Sequence, residues 1–338
     1  MANAFGNRIN INILGSSHGR IVGVEAKGFP EGSILDIDEF ETFMKRRSTF
    51  GENEVKAASA TSRKERDKVI FAKGVKKIAE RKMILTGEKV VAYVRNKDVK
   101  SSDYNRLKTV LRPGHADLGA FCKDGIEGLK AGGGRFSGRM TVALCIAGGI
   151  AKQILEKKEI FINADIDQIG GLRDKTEILK AIKAVKESGD SLGGTVICNI
   201  SGFPAGIGGA LFDGIEGTIA KAVFAIPAVK GIEFGSGFSG SLIKGSENND
   251  EMVIDNGIIK CLTNNAGGIS GGISNGNNIF FRIAIKPTPS ISKLQKSVDV
   301  KEMKNTEISI KGRHDVCIVP RAVPVVEAVT ALALLDIL

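Results

Sequence analysis

Apolar residues recur along this chain with two different spacings, and segments of the two kinds follow one another without regular alternation. A two-residue spacing is typical of strands and a 3.6-residue spacing of helices. Strands are predicted at 8–14, 20–27, 84–95, 194–203 and 279–285. Helices are predicted at 36–47, 140–157, 174–188, 213–226 and 325–337. This irregular order favours an α+β fold over a doubly wound parallel sheet.

Two of the helix patterns carry their own start signals. Asp36 and Asp174 stand just before amphipathic segments, where an aspartate side chain accepts hydrogen bonds from the first unpaired backbone N–H groups. The polar stretch 48–68 shows neither spacing and is predicted to be a mobile loop. Because no repeat or linker is visible, residues 1–338 are predicted to form one compact domain.

The charge of the chain restricts its partners. Lys and Arg exceed Asp and Glu by 48 to 38, a net charge of +10, but the basic residues are dispersed along the sequence. Nucleic-acid and membrane surfaces concentrate basic side chains, so small anionic ligands are the better prediction. The five cysteines have no metal-ligand spacing, and no signal peptide or membrane-spanning apolar run is visible. We expect a cytoplasmic protein with reduced cysteines, no metal, no nucleic acid and no membrane partner.

The chain has only three histidines, and each lies in a polar, glycine-containing motif. They are His18 in GSSHG, His115 in RPGHAD and His314 in GRHD, and each has an arginine within three residues. Histidine titrates near neutral pH, and arginine binds carboxylate or phosphate with a fixed fork. The three motifs therefore indicate a site that transfers protons beside anions.

Glycine is abundant, at 42 of 338 residues, and several glycine-rich segments suit anion binding. GGGRFSGR places Arg135, Ser137 and Arg139 where backbone N–H groups at the start of a helix can face an anion. The segments 264–278 and 286–291 are further candidates for backbone contact with a ligand. None matches a nucleotide-binding fingerprint. The residues alone predict an anion-binding α+β enzyme and no more.

Eight motifs, in their order along the chain, resemble those of chorismate synthases. They are GSSHG, RPGHAD, GGGR-x-S-x-R, SGFPAGIG, AIPAVKGIEFGSGF, NNAGGISGGISNG, KPTPSI and GRHD-x-C-x-x-PRAVPVVEA. The similarity runs from about Phe5 to Asp336, and the GRHD and GGISGGISNG blocks are very specific to the family. The resemblance implies an unusual β-α-β sandwich fold and a homotetramer.

The same resemblance implies a lyase of the shikimate pathway that requires reduced FMN. Such an enzyme converts 5-enolpyruvylshikimate 3-phosphate to chorismate by 1,4-anti elimination of phosphate, without net redox change. The phosphate and two carboxylates of the substrate, with the phosphate of FMN, account for the arginines and the basic charge. Either NADPH or a separate flavin reductase would supply the electrons. We favour the separate reductase, since no nicotinamide-binding domain is recognised.

By similarity, three motifs supply the proton-transfer groups. His115 would protonate or stabilise the reduced flavin near N1, and His18 would donate a proton to the departing phosphate. Asp315, with Ser17, would help the flavin N5 region accept the C6 proton of the substrate. An acid and a base in distinct environments suit a proton-coupled elimination.

The matching motifs also imply binding residues for the flavin and for the anions. Flavin contacts carry over to Arg135, Phe136, Ser137, Pro227, Ala228, Gly271, Lys286, Pro287, Thr288, Pro289, Ser290 and Arg313. Contacts to the anions of the substrate or of NADPH carry over to Arg46, Arg47 and Arg139.

The chain departs from the common family pattern at several positions. Phe136, Gly138 and Met140 stand where Ser, Ala and Glu are common, so residue 136 is expected to contact flavin through its backbone. Pro227 stands where many relatives have Asn. The segment after Arg47 is longer than usual and lacks the common Pro-Gly, which puts anion contacts from it in question. Every proposed proton-transfer group is kept.

Three other functions fit parts of the sequence. A flavin-dependent oxidoreductase would use the same pocket for net hydride transfer and would consume reductant under anaerobic conditions. A nucleic-acid binder would use the positive charge and would bind duplex with a steep salt dependence. A catalytically inactive paralogue is disfavoured because His18, His115 and Asp315 are all present.

Overall fold

The computed structural model describes residues 5–48, 54–59, 67–96, 109–129, 131–310 and 314–338. The described helices are α1 (Ile37–Arg47), α2 (Glu54–Ser59), α3 (Asp117–Asp124), α4 (Thr141–Glu156), α5 (Lys175–Glu187), α6 (Ile215–Val223), α7 (Gly237–Gly240), α8 (Gly245–Asn248) and α9 (Val319–Ile337). The described strands are β1 (Asn10–Gly15), β2 (Ile21–Lys27), β3 (Ile34–Asp36), β4 (Ile70–Lys73), β5 (Val75–Ala79), β6 (Lys82–Leu85), β7 (Val90–Arg95), β8 (Phe161–Ile169), β9 (Gly194–Ser201), β10 (Val229–Phe234), β11 (Met252–Asp255), β12 (Ile258–Cys261), β13 (Ile269–Ser270), β14 (Ile273–Ser274), β15 (Ile279–Ile285), β16 (Gln295–Asp299) and β17 (Lys304–Ile308). No helix of these ranges is both long and apolar enough to cross a membrane.

Two four-stranded antiparallel sheets enclose a layer of helices. The first sheet has the order β1-β2-β7-β4, and the second has the order β10-β15-β9-β8. Helix α4 packs on β1, β2 and β7, whereas α9 packs on β8 and β9. The two helices pack on each other, with α1 and α6 beside them. This α+β layering confirms the β-α-β sandwich that the resemblance implies.

The apolar spacing of the sequence explains both kinds of layer. In β15, the alternate residues Ile279, Phe281, Ile283 and Ile285 are buried, as expected of a strand with one face on the core. Helix α9 is instead buried on all sides, which is typical of a helix at the centre of a core. Near its end, the carboxylate of Asp336 accepts hydrogen bonds from the backbone N–H groups of residues 7–9, which lead into β1.

Both predicted capping residues are confirmed. The Asp36 side chain accepts hydrogen bonds from the second and third residues of α1, and Asp174 does the same for α5. GSSHG connects β1 to β2, as predicted. The five cysteines contain no disulfide, and Cys145, Cys198 and Cys317 are buried.

Three predicted boundaries are wrong. The single strand predicted at 84–95 is interrupted, because the chain turns at Gly87 (φ +77°) between β6 and β7. The predicted loop 48–68 contains α2; its residues 49–53 and 60–66 lie outside the described part of the chain. The last helix begins at Val319 rather than at 325 and continues past Pro324. Pro320 stands at the second position of α9, where an N–H group has no partner to lose, whereas Pro324 lies inside the helix and leaves out the bond that its N–H would make to the carbonyl of Pro320.

Candidate active site

A cavity of about 670 Å³ lies between five chain segments and Arg47. The segments are 112–116, 135–141, 224–230, 286–290 and 314–325. Three of them contain sequence motifs that were singled out above for histidine or glycine. The volume falls in the range of small-molecule sites in enzymes.

The described wall of this cavity is strongly cationic. Its basic residues are Arg47, Arg112, Arg135, Arg139, Arg321, Lys230 and Lys286. Among the described lining residues, the one carboxylate is that of Asp315. Guanidinium groups bind phosphate and carboxylate through paired hydrogen bonds, so the cavity suits a ligand with several negative charges.

The RPGHAD motif holds two cavity residues on one buried carboxylate. Asp117, at the start of α3, accepts hydrogen bonds from Nε and a terminal nitrogen of Arg112, both at 2.7 Å. It also lies 2.6 Å from Nδ1 of His115. Burial alone would raise the pKa of Asp117, but the hydrogen bonds with His115 and Arg112 and their charges outweigh it and hold the pKa well below its usual range. Asp117 is therefore an anion that fixes both side chains.

The glycine-rich segment before α4 passes close to the same histidine. Residues 131–136 and 138–140 form two 3₁₀ turns rather than a continuous helix start. Gly133 has φ +83°, and a Cβ on it would lie 3.0 Å from Nε2 of His115. A side chain here would be strained and would press on the imidazole, so glycine is required by both conformation and space.

A second buried carboxylate pairs two arginines of the wall. Asp67 lies 3.2 Å from Arg47 and 2.5 Å from Arg139. Burial would raise the pKa of Asp67, but the charges of Arg47 and Arg139 lower it. Arg47 is 2% exposed, and its Nε has no hydrogen-bond acceptor among the described residues. The terminal nitrogen that lies 3.2 Å from Asp67 forms an ion pair with it but not a hydrogen bond. A buried guanidinium with unsatisfied donors is costly, which indicates that an anion completes its environment.

The His18 motif reaches the cavity through one asparagine. Asn96 accepts a hydrogen bond from Nε of Arg139 at 3.0 Å and donates one to the carbonyl oxygen of Gly19 at 2.8 Å. Oγ of the buried Ser17 lies 3.1 Å from Nδ1 of His18. Neither Ser17 nor His18 is a wall residue. The GSSHG turn is thus joined to the wall without lining it.

Asp315 is held by a residue of the first turns of α9. A terminal nitrogen of Arg321 lies 2.6 Å from the Asp315 carboxylate, and Nε of Arg321 donates to the carbonyl oxygen of Arg47 at 3.3 Å. Arg321 therefore connects Asp315 to the end of α1. The earlier start of α9 matters for this reason, because it places Arg321 in the wall.

The remaining wall is built by two loops that contact each other. The backbone N–H of Lys286 donates to the carbonyl oxygen of Ala228 at 3.0 Å, and Nζ of Lys286 donates to that of Gly114. Burial, with the charge of Lys230, lowers the pKa of Lys286. Ala228 has φ +73°, an unfavourable conformation for a residue with a side chain. Such strain is common where a backbone is shaped for a ligand.

The structure brings most of the predicted site residues together. In the wall are His115, Asp315, Arg135, Phe136, Ser137, Pro227, Ala228, Lys286, Thr288, Pro289, Ser290, Arg47 and Arg139. Outside it are Ser17, His18, Gly271, Pro287 and Arg46. Arg46 instead forms two 2.7 Å hydrogen bonds with the buried Glu327. Arg313 lies outside the described residues.

Five charged residues of the site were not predicted from the sequence, and one of them is Lys230 in the AIPAVKGIEFGSGF block. Arg112 and Asp117 flank His115 in its motif, and their charge was the available signal. Arg321 lies in the PRAVP block, close to Asp315 in sequence. Asp67 lies in a stretch without any pattern, and only the fold shows that it meets Arg47 and Arg139.

Comparisons with known proteins all point to one family. The sequence model described as chorismate synthase matches residues 9–338. The chorismate synthase of Archaeoglobus fulgidus is 42% identical over 358 residues, covering 99% of this chain and 96% of the relative. That of Dehalococcoides mccartyi is 39% identical over 361 residues, covering 100% and 96%. A crystal structure of chorismate synthase matches the fold with a TM-score of 0.72 at 24% identity, covering 98% of this chain and 92% of the other.

Proposed function

The chain belongs to the chorismate synthase family, and from this membership we propose the chemistry of its cavity. It is an enzyme, a lyase that forms chorismate in the shikimate pathway. We propose that it does so by 1,4-anti elimination of phosphate from 5-enolpyruvylshikimate 3-phosphate and that it requires reduced FMN. The observation that carries this proposal is that His115 and Asp315 line one cavity together with seven cationic side chains.

The arrangement of the arginines supports a substrate with a phosphate and two carboxylates. Arg47 is buried with unsatisfied donors, and Arg139 lies beside it on Asp67. In a closed site the desolvation of these cations is compensated only by anions of good geometry. Arg46 is retained as a proposed anion contact from the family motif, although it lies outside the wall.

Reduced FMN fits the residues that are present. Thr288 of the wall has a buried hydroxyl oxygen without a hydrogen-bond partner among the described residues, as a binding group would. We propose contacts from Arg135, Phe136, Ser137, Pro227, Ala228, Gly271, Lys286, Pro287, Thr288, Pro289, Ser290 and Arg313. When bound, the flavin supplies the electronic chemistry of C–O cleavage without net redox change.

The protein groups would then move protons and hold charge. We propose that the imidazole of His115 keeps a proton available to the bound cofactor and that the Asp315 carboxylate, with Ser17, assists removal of the C6 proton. His18 would protonate the phosphate as its C–O bond breaks. Arg321 keeps Asp315 in place, and Asp67 keeps Arg47 and Arg139 in place.

The decisive experiment is anaerobic incubation of the purified protein with 5-enolpyruvylshikimate 3-phosphate and chemically reduced FMN. Chorismate and phosphate should appear in equal amounts while the FMN stays reduced. His115→Ala and His18→Ala should each lower turnover roughly 10- to 1000-fold, as expected for a lost general acid. Near-normal rates in both variants would contradict the proton-transfer roles, and consumption of reductant would identify an oxidoreductase instead.

We also propose the context in which the enzyme acts. The sequence pattern supports a single domain over residues 1–338 and a cytoplasmic location, and the resemblance supports a homotetramer. Large apolar side chains are exposed along residues 238–262, and extended apolar surface of this kind supports assembly. A separate flavin reductase, rather than NADPH bound to this chain, is the proposed electron source. Anaerobic incubation with oxidised FMN and NADPH tests it, because this chain alone should then form no chorismate.

A further inference from the structure

Asp117 binds both ionic side chains of its motif, and the geometry leaves little freedom for either. Its Oδ2 accepts hydrogen bonds from the backbone N–H of Arg112 at 3.0 Å and from Nε at 2.7 Å. Its Oδ1 accepts a hydrogen bond from a terminal nitrogen of Arg112 at 2.7 Å and lies 2.6 Å from Nδ1 of His115. Asp117 is 6% exposed, so water does not compete strongly for these contacts.

An ionised carboxylate accepts hydrogen bonds and donates none. Asp117 is ionised, because Arg112 and His115 hold its pKa well below the usual range despite burial. The imidazole nitrogen that faces it must therefore carry the hydrogen, so Nδ1 of His115 is the N–H donor. Nε2 is then the nitrogen that exchanges a proton with a bound molecule.

The second face of the imidazole is fixed by the glycine-rich segment. Gly133, with φ +83°, brings its backbone close to Nε2, where a Cβ would be 3.0 Å away. The His115 ring thus lies between Asp117, which faces Nδ1, and Gly133, which lies close to Nε2. The ring has one orientation in which it lines the cavity.

We propose that Asp117 is a positioning residue for the reaction, which sets the tautomer of His115 and the orientation of Arg112 through one carboxylate. This rests on the proposed role of His115. Asp117 itself does not line the cavity. It acts through the two side chains that do line it.

The substitution Asp117→Asn has a specific expected effect. Arg112 offers only donors, so the single oxygen of the amide turns toward the Oδ2 position, where two of the Arg112 donors converge. The amide NH₂ then faces Nδ1 of His115, which has to accept, and the proton moves to Nε2. The terminal nitrogen of Arg112 that donated to Oδ1 loses its acceptor at the same time. In serine proteases the same change beside the catalytic histidine lowers turnover about 10⁴-fold through the wrong tautomer. Here it also removes the negative charge that faces the ring whenever Nδ1 and Nε2 both carry a proton, which is the form that can give one from Nε2. We expect a loss of about 10²- to 10⁴-fold in kcat here, with a smaller change in KM.

The readout is the ¹⁵N NMR spectrum of the imidazoles in the full-length protein. Only three histidines are present, so His18→Asn and His314→Asn variants assign every signal. In the wild type, neutral His115 should be protonated at Nδ1, and in Asp117→Asn it should be protonated at Nε2. The wild-type measurement needs no variant and stays informative if the variant folds poorly.

A matched control is Asp174→Asn, the exposed cap of α5, since asparagine caps helices about as well as aspartate. It should keep turnover within about twofold and leave the His115 signals unchanged. An Nε2-protonated His115 in the wild type would overturn the proposal, as would an unchanged tautomer with normal kcat in Asp117→Asn. Normal kcat in His115→Ala would instead overturn the proposed role of His115, whatever the tautomer.

Discussion

Two neighbouring arginines at the end of α1 have different surroundings. Arg46 pairs with Glu327, which is 1% exposed and also accepts a hydrogen bond from the backbone N–H of Ala164. Arg47 lines the cavity with unsatisfied donors. The first arginine compensates a buried charge, whereas the second is available to a ligand. A substitution at each should therefore affect a different measurement.

We predict that Arg46→Met lowers the free energy of unfolding by about 1–2 kcal/mol. This is less than the full cost of breaking a buried ion pair, because Arg46 is partly exposed to water. It should leave KM for the substrate within about twofold. Arg47→Met should raise KM by roughly 10- to 100-fold, equivalent to the loss of a charge-assisted hydrogen bond or two. Urea unfolding and steady-state kinetics separate the two effects. A large rise of KM in Arg46→Met would show that Arg46 contacts the substrate, as the family motif implies.

The ammonium group of Lys56 lies at the same end of α1, and its titration makes the free energy of unfolding depend on pH. Its Nζ donates to the carbonyl oxygen of Arg46 at 2.6 Å. Burial lowers the pKa of Lys56 to about 8, with smaller contributions from the charges of Arg321, Arg46 and Arg47. The unfolded chain, with an ordinary lysine pKa of 10.5, therefore binds more protons between about pH 8 and 10.5. Stability contributed by Lys56 rises with pH across that window.

We predict that the wild type gains on the order of 2–3 kcal/mol in free energy of unfolding over Lys56→Met between pH 7.5 and 10. Urea unfolding at both pH values measures the difference. The exposed Lys180→Met should show no such change against the wild type. A difference between wild type and Lys56→Met that is independent of pH would contradict the lowered pKa of Lys56.

At the scale of elements, the crossing of α4 and α9 determines how closely the helical layer packs. A Cβ on Gly148 of α4 would lie 2.4 Å from Cα of Ala328 in α9. Gly148 and Ala328 are both buried. The Ala328 atoms nearest to this Cβ include backbone atoms, which can move only if α9 itself shifts. Glycine at this position is thus set by helix contact rather than by backbone conformation.

We predict that Gly148→Ala destabilises the protein by about 1–3 kcal/mol through overpacking of this crossing. Gly119→Ala in α3, where a Cβ would meet nothing within 4 Å, should stabilise by up to about 1 kcal/mol because alanine favours the helix. Denaturant midpoints measure both changes. Equal stability of the two variants would mean that α4 and α9 do not approach as closely as described.

Periodic segments such as α1, α5, β9 and β15 were predictable, because their burial follows the local spacing of apolar residues. Strand β10 was not, since its VKGIEF pattern is short and follows proline and alanine. The site divides in the same way. Motifs singled out His115 and Asp315, which both line the cavity. The Asp67 pair with Arg139 joins residues 72 positions apart, and only tertiary structure creates it.

At the scale of the whole molecule, the described surface has an extended apolar region at the hairpin of β11 and β12 and in the residues that precede it. Ile254 and Ile259 face each other across this hairpin and are 79% and 72% exposed. Isolated exposed apolar residues are ordinary, but an exposed cross-strand pair, with Phe238 and Leu242 exposed in the same stretch of chain, supports the proposed assembly.

We predict that Ile254→Lys combined with Ile259→Lys shifts the proposed homotetramer to smaller species at micromolar concentration, because burying a charge in a subunit contact is costly. Light scattering coupled to size exclusion measures the mass. Leu118→Lys, an exposed apolar residue of α3, should leave the mass unchanged. An intact tetramer in the double variant would place the subunit contacts on another surface.

The central position of α9 also determines when this protein can complete its folding during synthesis. Synthesis on the ribosome starts at the amino end, so both sheets and α4 are made before α9 exists. Until residues 319–337 emerge, the faces of α4, β8 and β9 that α9 covers stay open to water, and β1 lacks its anchor on Asp336. The nascent chain therefore presents a large unfilled core to chaperones, and folding is completed only after synthesis of its last helix.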